Sequence, residues 1–362
     1  MELIDDYDYE LPRELIAQEP TPNRVDARLM VVDRDRGSFE HHHIRDLPEV
    51  LRAGDTLVMN DSKVVPARLM GYRTQTRGLW QGLFLRGDPT TGLWEVLTKT
   101  RGKLASGETI TIRDRDGRDA MRLEVVTRTD SGGLLVRPLA PDDSVGGMPD
   151  DLSLDDPPDR WLEKYGRVPI PPYIRDGRMM DSDVVDYQTV YADRPGSVAA
   201  PTAGLHFTKP LIEQIRQHGI ATFHVTLHVG IGTFRPISVK HLKEHQMHEE
   251  IAEIDAETVQ AIRERRARGR TIAVGTTSVR VLETAAADGK LQPFSGPTDL
   301  FIRPPYQFHA VDALMTNFHL PKSSLLVMIS AFAGRDLILE SYREAIRNDY
   351  RFYSYGDAML IV

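Results

Sequence analysis

The sequence predicts an α/β protein: a mostly parallel sheet flanked by helices and interrupted by an inserted small β-barrel domain. Three observations carry this. A strand–loop–helix order recurs through the second half, short strands separated by turn residues follow one another after Arg68, and 362 residues exceed one ordinary core. The expected division is a discontinuous α/β catalytic domain, residues 1–67 plus 156–362, and an insert over 68–155 that includes an acidic exit linker.

Taken in order, Gly54–Asn60 (GDTLVMN) reads as a buried strand. Ser197–Ala200 reads as a strand running into Pro201–Thr208 (PTAGLHFT) and a helix over Lys209–His218. Ala221–Val229 alternates like a strand, and Asp255–Arg268 has the length of a helix. Strand Thr271–Gly275, a loop Thr276–Ser278 and helix Val279–Asp288 follow. Ala313–Thr316, the loop NFHLPKS and helix Ser324–Gly334 repeat the plan. Ligands in such sheets bind beyond the carboxyl ends of the strands. The insert is legible from Trp80–Leu85, Leu93–Lys99, Glu108–Arg113, Arg122–Thr127 and Leu134–Pro138, parted by GDPTTG, DRDG and SGG.

Composition narrows the chemistry. The chain has no cysteine, which excludes disulfides, iron–sulfur clusters, thiolate zinc sites and thiol nucleophiles. The acidic N-terminus (MELIDDYDYELP) lacks the basic-then-apolar order of a secretory signal. The longest apolar run, Leu325–Ala333, is about half the ~20 residues of a membrane span. A soluble cytoplasmic enzyme is expected. Net charge is −8, yet Lys63–Arg137 holds 14 basic against 8 acidic residues, whereas Pro138–Arg160 holds 7 aspartates and one arginine. The basic excess therefore lies in the β-rich segment and the acidic excess in the piece that follows it.

Three junctions carry polar groups at strand ends. In Pro201–Thr208, Gly204 is expected to supply positive-φ freedom, Thr202 and Thr208 hydroxyls, Thr208 a helix cap with Pro210 in the first turn, and His206 a titratable group. A structural turn with a surface histidine accounts for the same residues. Gly275–Arg280 (GTTSVR) suits a carboxylate or phosphate, or is an ordinary cap with Arg280 in solvent. Thr316–Ser323 (TNFHLPKS) sets Asn317 and His319 before an apolar helix that Ser323 can cap, and a structural His/Asn pair fits equally. Gly230 and Gly232 form a GxG without the third glycine of a dinucleotide loop, and no Walker lysine loop is present. His41–His43 reads as a surface strand or loop. His241, His245 and His248 would share a helical face, but no HExxH is present, and no metal is assigned. The tail, Tyr350–Leu360, suits either base stacking or a buried C-terminal strand.

These strings together resemble the S-adenosylmethionine:tRNA ribosyltransferase-isomerase family of queuosine biosynthesis, essentially from end to end. The resemblance runs through Asp8–Pro22 with Arg24 and Arg28, then Asn60–Leu69 (NDSKVVPARL), PTAGLHFT and His228–Phe234 (HVGIGTF). It continues in GTTSVR, Val311–Pro321 (VDALMTNFHLP), Ser330–Gly334 (SAFAG) and Tyr350–Leu360. Asp-Ser-Lys at 61–63 stands where Asp-Thr-Arg is usual, Pro-Pro-Tyr at 304–306 replaces Pro-Gly-Tyr, and Met-His-Glu-Glu at 247–250 replaces Met-His-Ser-Glu.

The resemblance implies a pentosyl transfer. The ribosyl part of S-adenosylmethionine moves to 7-aminomethyl-7-deazaguanine at the tRNA wobble position and isomerises to an epoxycyclopentanediol, releasing adenine and methionine. S-adenosylmethionine is then a consumed co-substrate, and no metal or redox cofactor is implied. The partners are this co-substrate and the tRNA, with no membrane, and a monomer is expected. Sulfonium chemistry requires removal of a ribose C5′ proton and assisted departure of adenine. His206 and His319 are the leading acid/base candidates and His228 the third. Arg280 with Thr276, Thr277 and Ser278 is expected to hold the methionine carboxylate, and Asp61 or Asp357 the ribose hydroxyls. Tyr353 or Tyr355 would stack on the deazaguanine or lie beside the sulfonium. Thr202, Gly204, Gly230, Gly232 and Asn317 complete the expected binding set, and Arg68 is expected on the anticodon backbone. Two rival classes remain at this level: an S-adenosylmethionine-dependent tRNA methyltransferase and a non-catalytic tRNA-binding protein.

Overall fold

The computed structural model describes residues 2–129, 132–139, 152–153, 156–230 and 237–362. The chain divides into two compact units, Met1–Val64 with Ile170–Val362, and Val65–Pro169. The insert expected over 68–155 falls within the second.

The first unit carries strands β1 (Arg28–Asp33), β2 (Ser38–His43), β3 (Thr56–Asn60) and β4 (Ser62–Val64), the second β5 (Arg68–Arg73), β6 (Leu79–Gly87), β7 (Trp94–Thr100), β8 (Thr109–Arg113), β9 (Asp119–Arg128) and β10 (Leu134–Leu139). The first unit resumes with β11 (Arg194–Ser197), β12 (Ala221–Leu227), β13 (Glu250–Ile254), β14 (Thr271–Val274), β15 (Phe294–Thr298), β16 (Ala313–Asn317) and β17 (Ala358–Ile361). Its helices are α1 (Leu47–Val50), α3 (Asp183–Asp186), α4 (Lys209–Gln217), α5 (Ala256–Arg265), α6 (Thr276–Ala285), α7 (Ser324–Ala333) and α8 (Arg335–Arg347), while α2 (Pro158–Tyr165) belongs to the second unit.

Among the described residues, nine strands form one sheet in the order β15-β13-β12-β3-β14-β16-β17-β1-β2. The central strands β12, β3, β14 and β16 run parallel. Both flanks turn antiparallel, at β13 and β15 on one side and between β16 and β17 and β1 and β2 on the other. The sheet is thus mixed α/β, with its parallel block in the middle. Strand alternation explains the layering. Leu29, Val31, Leu57, Met59, Val274 and Met315 pack on one face with Leu211 and Ile215 of α4. Met30, Val32, Val58, Ala273 and Leu314 pack on the other with Val259 of α5, Val279 of α6 and Val327 of α7. Each such aliphatic side chain contributes roughly 1.5–3 kcal/mol on full burial.

The second unit is a closed antiparallel barrel, β10-β7-β6-β5-β8-β9, as the strand spacing predicts. Leu69, Trp80, Val96, Ile112, Leu123 and Val136 fill it, and Trp161 and Leu162 of α2 close the same core. The acidic linker expected over Pro138–Arg160 lies largely outside the described residues.

Three local expectations change. Thr276–Ser278 is the first turn of α6 and not a loop. The strand expected over Ser197–Ala200 ends at Ser197. His241, His245 and His248 share no helical face, because only Leu242–Glu244 winds, as a single 3-10 turn, and His241 sits in a bridge to Leu3. Among the described residues no three His, Cys, Asp or Glu side chains are grouped to hold a metal ion. No helix there is long and apolar enough to cross a membrane.

Candidate active site

Two strands of the parallel block, β14 and β16, end in strand–helix junctions, and a third junction follows β11, which pairs with β4 in a separate two-stranded sheet. Val274 and Met315 are partners across β14 and β16, and the Gly275 N–H donates to the Met315 carbonyl at 2.7 Å. Gly275 and Thr316 therefore leave the sheet side by side. Gly275 turns at φ 88, open to glycine at little cost, and α6 starts at once. The third junction is a 3-10 turn over Thr202–His206 leading to α4, capped by Thr208 Oγ1 accepting from the Leu211 N–H at 3.3 Å. Ser323 Oγ caps α7 by accepting from the Leu326 N–H at 3.2 Å.

A pocket opens where these junctions meet. Thr276 and Thr277 come from the start of α6, Asn317 and His319 from the end of β16 and the turn after it, Thr202 from the 3-10 turn before α4, and Tyr353 from the tail. Tyr173 packs edge-on against Tyr353 with centroids 4.9 Å apart, and Phe318, Val229 and Leu320 add apolar wall. Among the described residues no carboxylate, lysine or arginine lines it.

His319 is 8% exposed, and its Nε2 lies 2.8 Å from Thr316 Oγ1. Burial pushes its imidazole down to about 3, so it is neutral near pH 7. Its backbone is pinned on both sides: its N–H donates to the Tyr342 hydroxyl at 2.8 Å, and its carbonyl accepts from the Tyr9 hydroxyl. Neither tyrosine was legible as a site residue in the sequence.

His206 does not line this pocket. It faces a smaller cavity with Arg24, Asp186 and Tyr355; Ser354 lines both cavities, and Asn317 Nδ2 of the first approaches His206 Nε2 at 3.3 Å. Burial, with Arg24 and Arg351 nearby, holds its imidazole at about 4. His228 is half-buried against Gly196, lines neither cavity, and burial lowers its pKa as well.

Several expected binders are occupied elsewhere. Arg280 is buried, ion-paired with Glu250 and donating to the Thr298 carbonyl at 3.2 Å, so its guanidinium does not reach the pocket. Ser278 Oγ donates to the Val274 carbonyl of its own helix approach at 2.8 Å. Asp357 accepts the backbone N–H groups of Arg28 and Arg351, both at 2.8 Å, which makes it a chain clip and leaves it no ribose diol to hold. Asp61 accepts from Thr226 Oγ1 at 2.7 Å and lines a separate polar recess with His224 and Glu253, and burial raises its pKa. Tyr355 donates to Asp183 at 2.8 Å. Arg68 opens β5 in the second unit, and Gly232 lies outside the described residues. Gly204 has no positive φ. Its need is space, since a Cβ there would meet the Tyr191 hydroxyl at 2.1 Å.

Comparison with known proteins places this geometry. The family model described as "Queuosine biosynthesis protein" matches residues 4–361. The chain belongs to this family. It is 46% identical over 361 residues to the S-adenosylmethionine:tRNA ribosyltransferase-isomerase of Desulforamulus reducens, with 99% of each chain covered. The protein of that name from Thermotoga maritima is 45% identical, again over 99% of both chains. A crystal structure of S-adenosylmethionine tRNA ribosyltransferase from Thermotoga maritima covers 99% of this chain and 100% of its own, at TM-score 0.54 and 36% identity.

In this queuosine biosynthesis protein the strings PTAGLHFT, GTTSVR and TNFHLP converge on one pocket, though widely separated in sequence. HVGIGTF contributes Val229 to the wall, and the Gly230 N–H donates to Glu250 at 2.7 Å, the carboxylate that holds Arg280. Pro304 and Pro305 are joined by a cis bond, and the adjoining Tyr306 hydroxyl donates to Glu283 at 3.3 Å.

Proposed function

We propose that the chain transfers and isomerises the ribosyl moiety of S-adenosylmethionine onto 7-aminomethyl-7-deazaguanine at the tRNA wobble position, giving epoxyqueuosine-tRNA, adenine and methionine. The observation that carries the reading is the pocket itself: an aromatic-walled cavity at the carboxyl ends of β14 and β16 whose lining, among the described residues, carries no formal charge and one neutral imidazole. A sulfonium is a diffuse cation, and the Tyr353–Tyr173 pair offers it ring faces in place of a carboxylate. A carboxylate beside that sulfur would compete as a nucleophile, and among the described residues the lining has none.

His319 is the residue on which proton transfer rests. Its neutral imidazole accepts a proton from C5′, made acidic by the adjacent sulfonium. The imidazolium so formed in turn gives its proton to the departing adenine. Thr316 Oγ1 orients the ring, and the Tyr9 and Tyr342 hydroxyls fix the backbone that carries it. His206 acts one step back, as the acceptor that holds Asn317. His228, Asp61 and Tyr355 have no contact with this pocket and take no part in the step.

The barrel is the tRNA-binding element in this reading. Arg101 and Lys103 lie exposed on the loop where Arg73 donates to the carbonyls of both residues, with Lys99 at the end of β7 and Arg77 stacked on Tyr72. Such a patch binds phosphates without reading sequence.

Adenine release from S-adenosylmethionine, with and without tRNA bearing aminomethyl-deazaguanine, tests the proposal. Free adenine and methionine in equal amounts, only with that tRNA, is the expected result. Label from methyl-tritiated S-adenosylmethionine appearing in tRNA would instead identify a methyltransferase. TRNA binding without either product would identify a binding protein.

A further inference from the structure

We infer that the α-amino acid end of S-adenosylmethionine lies across the ends of β14 and β16, its carboxylate on the amino terminus of α6 and its ammonium on Asn317 Oδ1. The inference rests on the preceding reading that the pocket takes this co-substrate, and it says how a lining without formal charge among the described residues holds a zwitterion.

The first observation concerns helix caps. Of the three helices that follow these junctions, α4 is capped by Thr208 and α7 by Ser323. The ten-residue α6 starts after Gly275, which has no side chain, and among the described residues no side chain caps it. Its first-turn N–H groups are therefore free for a ligand, and the helix dipole favours a negative one. Thr277 Oγ1 lies in the same turn, buried and without a partner among the described residues, a second donor aimed at the same place.

The second observation is independent and concerns Asn317, which is 2% exposed. Its Nδ2 lies 3.0 Å from the Tyr353 carbonyl, an atom that can only accept. The amide orientation is thereby fixed, since reversing it would set two oxygens against each other. Nδ2 also faces His206 Nε2, so both amide hydrogens are taken. Oδ1 is left buried, pocket-lining and without a partner among the described residues. A buried acceptor left unmade costs about 1–3 kcal/mol, and only a donor can relieve it. An ammonium is such a donor.

Spacing joins the two. Gly275 and Thr316 follow the paired residues Val274 and Met315, so the start of α6 and Asn317 sit on neighbouring strand ends, roughly 5 Å apart in the hydrogen-bonding direction. The carboxylate and ammonium of an α-amino acid leave one carbon and span a similar width. Arg280 is turned to Glu250, so its guanidinium does not compete for the carboxylate. A net-neutral zwitterion is the amino acid form that dipoles alone can hold.

The test is calorimetric titration of the whole protein with S-adenosylmethionine, its decarboxylated analogue and its deamino analogue. Wild type should bind each analogue about tenfold or more weakly than the parent. Thr277→Val should weaken the parent severalfold yet leave the decarboxylated analogue unchanged. Asn317→Ala should weaken the parent yet leave the deamino analogue unchanged. Equal affinity of wild type for all three ligands would overturn the placement without use of a variant. So would the loss of one common factor for all three in either variant. If wild type bound none of the three, the co-substrate reading itself would fall.

Discussion

Asn317 joins the two buried histidine environments: one amide hydrogen points to His206 Nε2 at 3.3 Å, the other to the Tyr353 carbonyl at 3.0 Å. The histidine in PTAGLHFT is thus a partner of the pocket wall, whereas His319 is in the wall. Different kinetic signatures follow. His319→Ala should lower the rate of adenine release by about 10²–10⁴ under saturating S-adenosylmethionine. His206→Ala should chiefly raise KM, because it loosens Asn317 and leaves the proton-transfer group in place. Single-turnover rates with a KM determination separate them. An equal fall in the single-turnover rate for both would return His206 to the chemistry.

Arg280 and Glu250 form a buried pair, with side chains 4% and 3% exposed. Removing one partner leaves an uncompensated buried charge, which typically costs 3–5 kcal/mol. Arg280→Met should therefore lower the unfolding midpoint sharply. Arg280→Met combined with Glu250→Gln should recover most of it, together with S-adenosylmethionine affinity. Recovery of stability without affinity would mean that Arg280 also touches the ligand.

Gly204 is required for room. Its added Cβ would meet the Tyr191 hydroxyl at 2.1 Å and Thr189 Cγ2 at 2.9 Å. Gly204→Ala should cost roughly 1–3 kcal/mol, the usual range of overpacking. The Tyr191 hydroxyl has no partner among the described residues, so removing it is cheap. Tyr191→Phe in the Gly204→Ala background should restore part of the loss in chemical denaturation. No restoration would place the strain at Thr189.

The fold was legible because its signals are periodic. Strands β3, β14 and β16 are buried throughout and read as continuous apolar runs, and Thr208 and Ser323 cap the helices that their positions predict. The pocket's polar core was legible as three hydroxyl-rich junctions. What could not be read was which polar group is already taken. Asp357 clips two backbone N–H groups 329 and six residues away, and Arg280 meets Glu250 thirty residues back. Such partnerships are set by packing, and no local pattern encodes them. Tyr9 and Tyr342 escaped for the same reason: each reaches His319 from a distant element.

The barrel patch makes a salt-dependent prediction. Lys99, Arg101 and Lys103 are exposed, and each neutralised phosphate adds about −0.9 to the slope of log affinity against log salt on a duplex stem. Changing all three to Glu should weaken tRNA binding and flatten that slope by about two to three. Filter binding across a salt series reads both quantities. Unchanged binding would move the tRNA surface off the barrel.

The two buried imidazoles also make stability depend on pH. In the fold His206 and His319 titrate at about 4 and about 3, below the 6.5 of an unburied histidine. Below pH 6.5 the unfolded chain binds protons that the folded chain refuses, so stability falls as pH drops from there toward the folded values, and is complete above it. Each histidine contributes up to ~1.4 kcal/mol per pH unit within that window. His319→Asn removes one such group while leaving every carboxylate in place. Its unfolding free energy should fall less steeply between pH 6.5 and 4.5 (about one proton less taken up on unfolding) than that of wild type. Parallel curves for the two proteins would show that His319 takes up its proton over the same range in the fold as in the unfolded chain, and the depressed pKa assigned to it would be lost.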